Sequence, residues 1–416
     1  MKHLHLSAAL VALTAAAASA DPVIDRIESV VAKGRRLDVT VEATFAAAGT
    51  VAISGDVNGI PVNVRKRMKA GHRVAKLRLD ARKFRLRGLS SGVYFNLQIE
   101  ATESAGAKVA QELKAVIPVP CIVLPGFGNE TTPGAFAVFA TGLNAAAGGI
   151  YTTSGDHPTL VVHEYPSQSA SIANLGKGLV PDVAKALRGT VFKKVDLVGY
   201  SYGGIVARSF MNQGGASRVR NCVFLATPNE GTPLAYLAVG LSNAGTLDAF
   251  LGQNAALATL VQQFLTADAK QSLRNLYPTY PWALMQNPLT GRLGPVPTQF
   301  LEAVLGPSDT PLTAMNAIAP PPTVTFHAFY YTSTGLGQLG TVDTVDVSAM
   351  LTGGQIDPAS VATGAGDGVA PAHSVTMESI PAWHGAIHPH DLGAGTHLTA
   401  TTDLTALAGI AAIVGK

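Results

Sequence analysis

The hydrophobic period of this chain changes once, near residue 120, and that change limits the folds open to it. From residue 21 to about 116 apolar and polar residues alternate. In "LDVTVEATF" Leu37, Val39, Val41, Ala43 and Phe45 alternate with Asp38, Thr40, Glu42 and Thr44; "VYFNLQIEAT" repeats the pattern through Val93, Phe95, Leu97, Ile99 and Ala101. Period two with one polar face predicts half-buried antiparallel strands. Asn58-Gly59 between two such runs predicts a tight hairpin turn. Strands spaced regularly over residues 21–116 predict a small all-β sandwich. From Cys121 onward short apolar runs ("CIVLPGFG", "TLVVHEYPS", "KVDLVGYS", "NCVFLATP", "TVTFHAFYY") alternate with helical patterns such as "ASIANLGKGLVPDVAKALRG". That alternation predicts a mostly parallel sheet with helices on both faces over residues 117–416. "VIPVP", residues 116–120, reads as a stiff linker between the two.

Residues 1–20 have a short basic start, an apolar stretch too short to span a bilayer, and Ala18-Ser19-Ala20. This is the pattern of a signal peptide cleaved after Ala20, and it implies a secreted or periplasmic protein. No later run reads as a membrane-spanning helix. Charged residues make up 14% and the net charge is +3, which gives the whole chain no nucleic-acid signature. The run Arg65, Lys66, Arg67, Lys69, Arg73, Lys76 and Arg78 could dock weakly on an anionic surface, or be no more than a solvated face.

Two segments fit G-x-S-x-G: "GLSSG" around Ser90 and "GYSYG" around Ser201. Ser90 lies between two alternating strands with no helix after it, so it reads as a turn. Ser201 follows the buried strand "KVDLVG" and precedes the helical "GGIVARSFMNQGG". A strand turning sharply into a helix lifts a serine hydroxyl clear of the sheet, and side chains at Gly199 and Gly203 would collide across the turn.

A serine alcohol needs a base, and the base needs a carboxylate to orient it. Asp367, in "GAGDGVAPAHSV" beyond the strand "TVTFHAFYY", is the acid candidate. Asp343 and Asp346 sit among valines and read as an edge strand or loop. The loop "WHGAIHPHDLGAGTH" holds His384, His388, His390 and His397. His397 stands directly before an apolar terminal helix and is the preferred base, with His390 and His388 as alternatives. Gly385 and Pro389 argue against a helical metal site at His384 and His388, so no metal is expected. Two backbone N–H groups, of Tyr202 and of Phe127 after Pro125-Gly126, are expected to form an oxyanion hole. Between residues 229 and 320 the alternation breaks. An amphipathic pattern through Leu257, Leu260, Val261, Phe264 and Leu265, then a Pro-, Tyr- and Trp-rich run, predicts a cap or lid.

Four segments, "VLPGFG", "VDLVGYSYGG", "CVFLATPNEGTPLA" and "GDGVAPAHS", resemble lipases of the α/β-hydrolase superfamily. "LATPNEGTPLA" and "SLRNLYPTYPWALMQNP" are similar to the lecithin:cholesterol acyltransferase-like group. "LRGLSSGVYFNLQIEATESAG" resembles the later strands of bacterial Ig-like domains. The lipase resemblance implies an α/β-hydrolase fold, and cleavage or transfer of acyl groups of lipid-like esters without a cofactor; the last implies an Ig-like domain before it. Many lipases carry His-Gly before the oxyanion residue, where this chain has Pro125-Gly126. A lipid acyltransferase or phospholipase would use the same residues. A binding protein built on an inactive hydrolase domain is the reading from another class, and the intact Ser201, Asp367 and His397 argue against it.

The strand order of such a fold would place the strand at 195–198 between those of Cys121 and Cys222. Strands two apart lie roughly 9.6 Å from each other, beyond the ~7 Å Cα separation that a disulfide tolerates. Two buried free thiols are therefore expected.

Overall fold

The computed structural model describes residues 21–32, 36–80, 91–126, 136–154, 158–165, 170–188, 190–232, 311–332 and 365–416, the stretches 284–286, 293–295 and 334–335, and residues 235, 276 and 279. The leader 1–20, Ser90, Asp343, Asp346 and the amphipathic pattern at 257–265 lie outside these.

The described strands between residues 23 and 117 form two antiparallel sheets. The strands are β1 (Val23–Ala32), β2 (Arg36–Phe45), β3 (Gly49–Val57), β4 (Ile60–Met68), β5 (Gly71–Asp80), β6 (Val93–Glu103) and β7 (Lys108–Ile117). One sheet runs β1-β2-β5 and the other β4-β3-β6-β7. The alternation sets their faces: Val39, Val41, Ala43 and Phe45 of β2 and Val93, Phe95, Leu97, Ile99 and Ala101 of β6 are all buried in one core. Asn58 and Gly59 join β3 to β4 with φ of 52° and 72°, the two positive values that a two-residue hairpin turn requires. The Asn58 carboxamide oxygen accepts from Tyr94 N at 2.7 Å, tying the turn to β6.

The expected linker is not a free spacer. Ile117 to Pro120 are buried, and Val119 packs into the sandwich core together with Val191 and Phe192 from the second half of the chain. The Pro120 carbonyl accepts from Asp196 N at 2.8 Å. An apolar side chain at 119 gains more by entering the core than an exposed proline-rich spacer would by staying solvated.

The second half is built on a six-stranded sheet. Its strands are β8 (Cys121–Leu124), β9 (Leu160–Val162), β10 (Val195–Tyr200), β11 (Val219–Leu225), β14 (Thr325–Tyr330) and β17 (Ile387–Asp391). The order is β17-β14-β11-β10-β8-β9, and every neighbouring pair is parallel. The short strands β12 (Leu284–Gln286) and β13 (Leu293–Pro295) pair with each other, as do β15 (Thr334–Gly335) and β16 (Ala365–Gly366). Both faces of the large sheet are apolar, as the unbroken runs predict. Ile122, Leu124, Leu197, Cys222 and Phe224 face α2 (Ile172–Leu187) and α3 (Tyr202–Asn212). Cys121, Val123, Val198, Val223 and Leu225 face α1 (Ala137–Ala146) and α6 (Leu404–Val414). Two shorter helices are α4 (Pro311–Asn316) and α5 (Ala372–Thr376). No described helix is long and apolar enough to cross a membrane.

Two local readings are corrected. The histidine-rich segment contains a strand, β17, rather than only a loop, because Ile387 to Asp391 complete the sheet edge beside β14. The last helix starts at Leu404, not directly after His397; Asp403 caps it, accepting from Thr405 N (2.7 Å) and Ala406 N (3.2 Å).

Cys121 on β8 and Cys222 on β11 are free and buried, with β10 between their strands. Thiol titration of the denatured, unreduced protein should count two reactive groups. A count of zero would contradict the sheet order.

Candidate active site

Ser201 occupies the single-residue turn between β10 and α3, with φ 51° and ψ −123°. Such a conformation costs a non-glycine residue on the order of 1–3 kcal/mol. It is held by Ser201 N donating to the Leu225 carbonyl (2.9 Å) and Gly204 N donating to the Ser201 carbonyl (3.1 Å). A Cβ at Gly199 would meet the backbone of Gly203 and Gly204, and one at Gly203 would meet the Leu124 and Pro125 carbonyls. The two expected elbow glycines are therefore sterically required.

Three residues distant in sequence meet at this turn. His397 Nε2 lies 2.8 Å from Ser201 Oγ, and His397 Nδ1 lies 2.8 Å from Asp367 Oδ2. All three are buried. Asp367 follows β16, and its other oxygen accepts from Val369 N (2.9 Å) and Ala370 N (2.7 Å), which fixes the carboxylate plane. His397 N also donates to the Asp367 carbonyl at 2.9 Å. With Nδ1–H donating to Asp367, Nε2 is the lone pair that can accept the serine proton.

Tyr202 opens α3 and is buried beside Ser201, so its N–H is at the helix start, as expected. Phe127, the other expected donor, lies outside the described residues. The turn before it is close: a Cβ on Gly126 would stand 2.9 Å from Ser201 Cβ and 2.8 Å from the Tyr200 ring. The Tyr165 hydroxyl donates to the Pro125 carbonyl at 3.2 Å and steadies that turn.

The alternative histidines are elsewhere. His390, on β17, stacks on Phe329 (4.3 Å between ring centres) and lies 3.2 Å from His327 Nδ1 through its Nε2. His388 is exposed on the same strand. Among the described residues no group of three or more His, Cys, Asp or Glu is arranged to hold a metal ion.

Sequence reasoning missed two supports. Tyr200 donates its hydroxyl to the His397 carbonyl (2.8 Å) and sets its ring 5.2 Å from the imidazole. The second is a buried polar network that laces the acid's segment to the turn after β11. Arg208 on α3 donates to the Asn229 carbonyl (3.0 Å) and to Asn316 Oδ1 (2.7 Å), with its guanidinium 4.9 Å from the Trp383 ring. Asn229 Nδ2 donates to the Val375 carbonyl (2.9 Å), Glu230 N donates to Ser374 Oγ (3.0 Å), and Ser374 Oγ donates to the Gly231 carbonyl (2.8 Å). Ser379 donates to the Glu230 carboxylate, and Thr232 to the Val369 carbonyl. The available signal was "TPNEGT", too many polar residues for a segment leaving a buried strand.

The sheet order, the helices on both faces and the strained serine between β10 and α3 together define the class: an α/β-hydrolase-type domain. No family model and no curated protein matches the chain. Solved structures that it resembles include lipase BlEst2 of Bacillus licheniformis in mature form (14% identity, 68% of this chain and 87% of that one, TM-score 0.34). Carboxylesterase CesB of Bacillus subtilis matches at 13% identity over 79% and 93%, TM-score 0.35. The thioesterase RedJ of the prodiginine pathway in Streptomyces coelicolor matches at 13% over 72% and 85%, TM-score 0.34. The class rests on this chain's own sheet order and elbow.

Two predictions follow from these contacts. Arg208→Met leaves the Asn229 and Asn316 oxygens buried without donors, and should cost on the order of 3 kcal/mol in urea unfolding. Its residual activity should fall more than the folded fraction does, because the segment after Asp367 loses its anchor. Separately, burial and the neighbouring His390 and His388 push the His327 imidazole down to about 4. The unfolded chain, with an ordinary imidazole near 6.5, then binds more protons than the folded one between these values. The stabilisation is complete above pH ~6.5 and is lost as pH falls towards 4. Buried Asp196 and Glu230, raised by desolvation, titrate in the opposite sense. The test is thus a difference: thermal midpoints of His327→Gln should decline less than wild type over that window.

Proposed function

We propose that this chain is an exported serine ester hydrolase acting on lipid-like carboxylic esters through Ser201, His397 and Asp367. The observation that carries the reading is the continuous pair of 2.8 Å contacts from Ser201 Oγ through the imidazole to the Asp367 carboxylate, at a serine in strained elbow geometry. His397 takes the hydroxyl proton as Ser201 Oγ attacks the ester carbonyl. The tetrahedral oxyanion is received by the N–H groups of Tyr202 and Phe127. The imidazolium returns its proton to the departing alcohol, leaving an acyl-enzyme. Water, deprotonated by His397, then attacks the acyl-enzyme carbonyl, and the imidazolium returns that proton to Ser201 Oγ as the acid is released. No cofactor enters these steps.

Lipid-like substrates are favoured by the segments similar to the lecithin:cholesterol acyltransferase-like group, and by the apolar cap pattern between 229 and 320, which would contact a lipid interface. Leu276 and Leu312 of that insertion reach the hydrolase core. Residues 21–116 are proposed to be Ig-like, supported by three strands (β1-β2-β5) facing four (β4-β3-β6-β7). Export rests on the pattern of residues 1–20.

A panel of esters of increasing acyl length, with and without an alcohol acceptor, tests the reading. Wild type should hydrolyse them, and Ser201→Ala should lower kcat by about 10⁶. His397→Ala should be similarly inactive, whereas His390→Ala and Ser90→Ala should retain turnover. Full activity in the Ser201 variant would end the mechanism; loss confined to His390→Ala would reassign the base.

A further inference from the structure

The charge of this chain is divided between its two halves. Residues 21–117 hold 17 lysines and arginines against 10 aspartates and glutamates, while residues 118–416 hold 12 against 17. Within the first half the excess is concentrated further. No acidic residue occurs between Asp56 and Asp80, the stretch that forms β4 and β5. These strands are the outer edges of their respective sheets and follow each other directly in the chain. Their edges therefore form one side of the sandwich.

Arg65, Lys66, Arg67, Lys69, Arg73 and Lys76 are all exposed on that side. The strand beside β4 does little to neutralise them. β3, beside β4, carries only Asp56. Glu100 stands across from Arg65 two strands away, through Ala52, and already pairs with Lys108 at 3.5 Å. Glu42 on β2 lies opposite Val74 and Asp38 lies opposite Arg78, so on β5 only Lys76 has acidic register neighbours on both sides, while Asp25 is engaged by His72 at 3.3 Å. Among the described side chains no ion pair joins a carboxylate to any of these six cations. Charged edge residues prevent strand-to-strand aggregation, but that task does not need acids to be excluded from 23 successive positions.

Two apolar side chains are interleaved with the cations. Val64 on β4 is 39% exposed and Val74 on β5 is 43% exposed. A cationic rim with exposed aliphatic groups suits a surface that is anionic at the headgroup and apolar beneath it. We propose that the β4–β5 side of the N-terminal domain docks the enzyme on anionic phospholipid. The choice of lipid over a soluble polyanion rests on the ester-hydrolase reading and on Val64 and Val74. The docking itself needs no turnover, so it is tested independently of catalysis.

The chain from Asp21 onward, carrying Ser201→Ala, is sedimented with vesicles of phosphatidylcholine alone or with phosphatidylglycerol at three parts in ten. Each basic residue near such a surface contributes about 1 kcal/mol. Binding should favour the anionic vesicles by at least tenfold and be released in 0.5 M salt. Replacing Arg65, Lys66, Arg67 and Lys69 by glutamine should weaken it on the order of a thousandfold. Lys108→Gln with Lys114→Gln, on β7, should leave it unchanged. In an active-serine background the quadruple variant should hydrolyse a soluble short-chain ester at the wild-type rate, showing that the fold survives. Equal binding to neutral and anionic vesicles, or undiminished binding by the quadruple variant, would overturn the proposal. Retention on heparin without sedimentation on vesicles would overturn it in favour of a polyanion partner.

Discussion

The backbone of Ser201 is the constraint around which the second half of the molecule is organised. A serine at φ 51° cannot persist alone; it must be over-determined by its surroundings. β10 lies at the centre of the sheet, so the turn is braced by neighbours on both sides. The Leu124 and Pro125 carbonyls press against Gly203 from β8. From the other side Leu225 accepts the serine N–H, and Thr227 reaches across to donate to the Gly199 carbonyl at 3.2 Å. The hydroxyl is thereby delivered to one place, and the imidazole and carboxylate need only arrive there.

Their arrival is a property of loops rather than of strands. Asp367 and His397 belong to segments beyond the ends of β14 and β17, where short elements and side-chain hydrogen bonds replace the sheet ladder. Arg208 is informative in this respect. It is a fully buried cation on the same helix that begins at the serine turn, and desolvation pushes its guanidinium down to about 9. Keeping it there costs stability, but its hydrogen bonds join α3 to Asn229 and Asn316. Through Asn229 and Ser374 they join the helix to the segment that carries the acid. The serine and the acid are thus positioned by one network anchored on one helix.

The N-terminal sandwich shares a core with the hydrolase half at Val119, Val191 and Phe192. A domain held in this way has a defined orientation relative to the active-site half, unlike one hung on a solvated linker.

Much of this was legible in the residues themselves. Period-two alternation placed the inward faces of β2 and β6, because side-chain direction along a strand depends only on parity. The apolar runs located β8, β10, β11 and β14, and the glycines around Ser201 marked the turn, because only a residue without Cβ fits where backbone meets backbone. The order Ser, Asp, His was a matter of motif and loop position. What the sequence could not express was distance. The place of His397 before the terminal helix made it the preferred base, but "WHGAIHPHDLGAGTH" does not express that His390 stacks on Phe329 in an edge strand while His397 lies 2.8 Å from a serine 196 positions earlier. Nor does "VIPVP" reveal that Val119 lies in a core. Those outcomes depend on which strand completes the sheet edge and which apolar surface is nearest in space. Packing settles such questions between segments far apart in the chain, and local pattern carries no term for them.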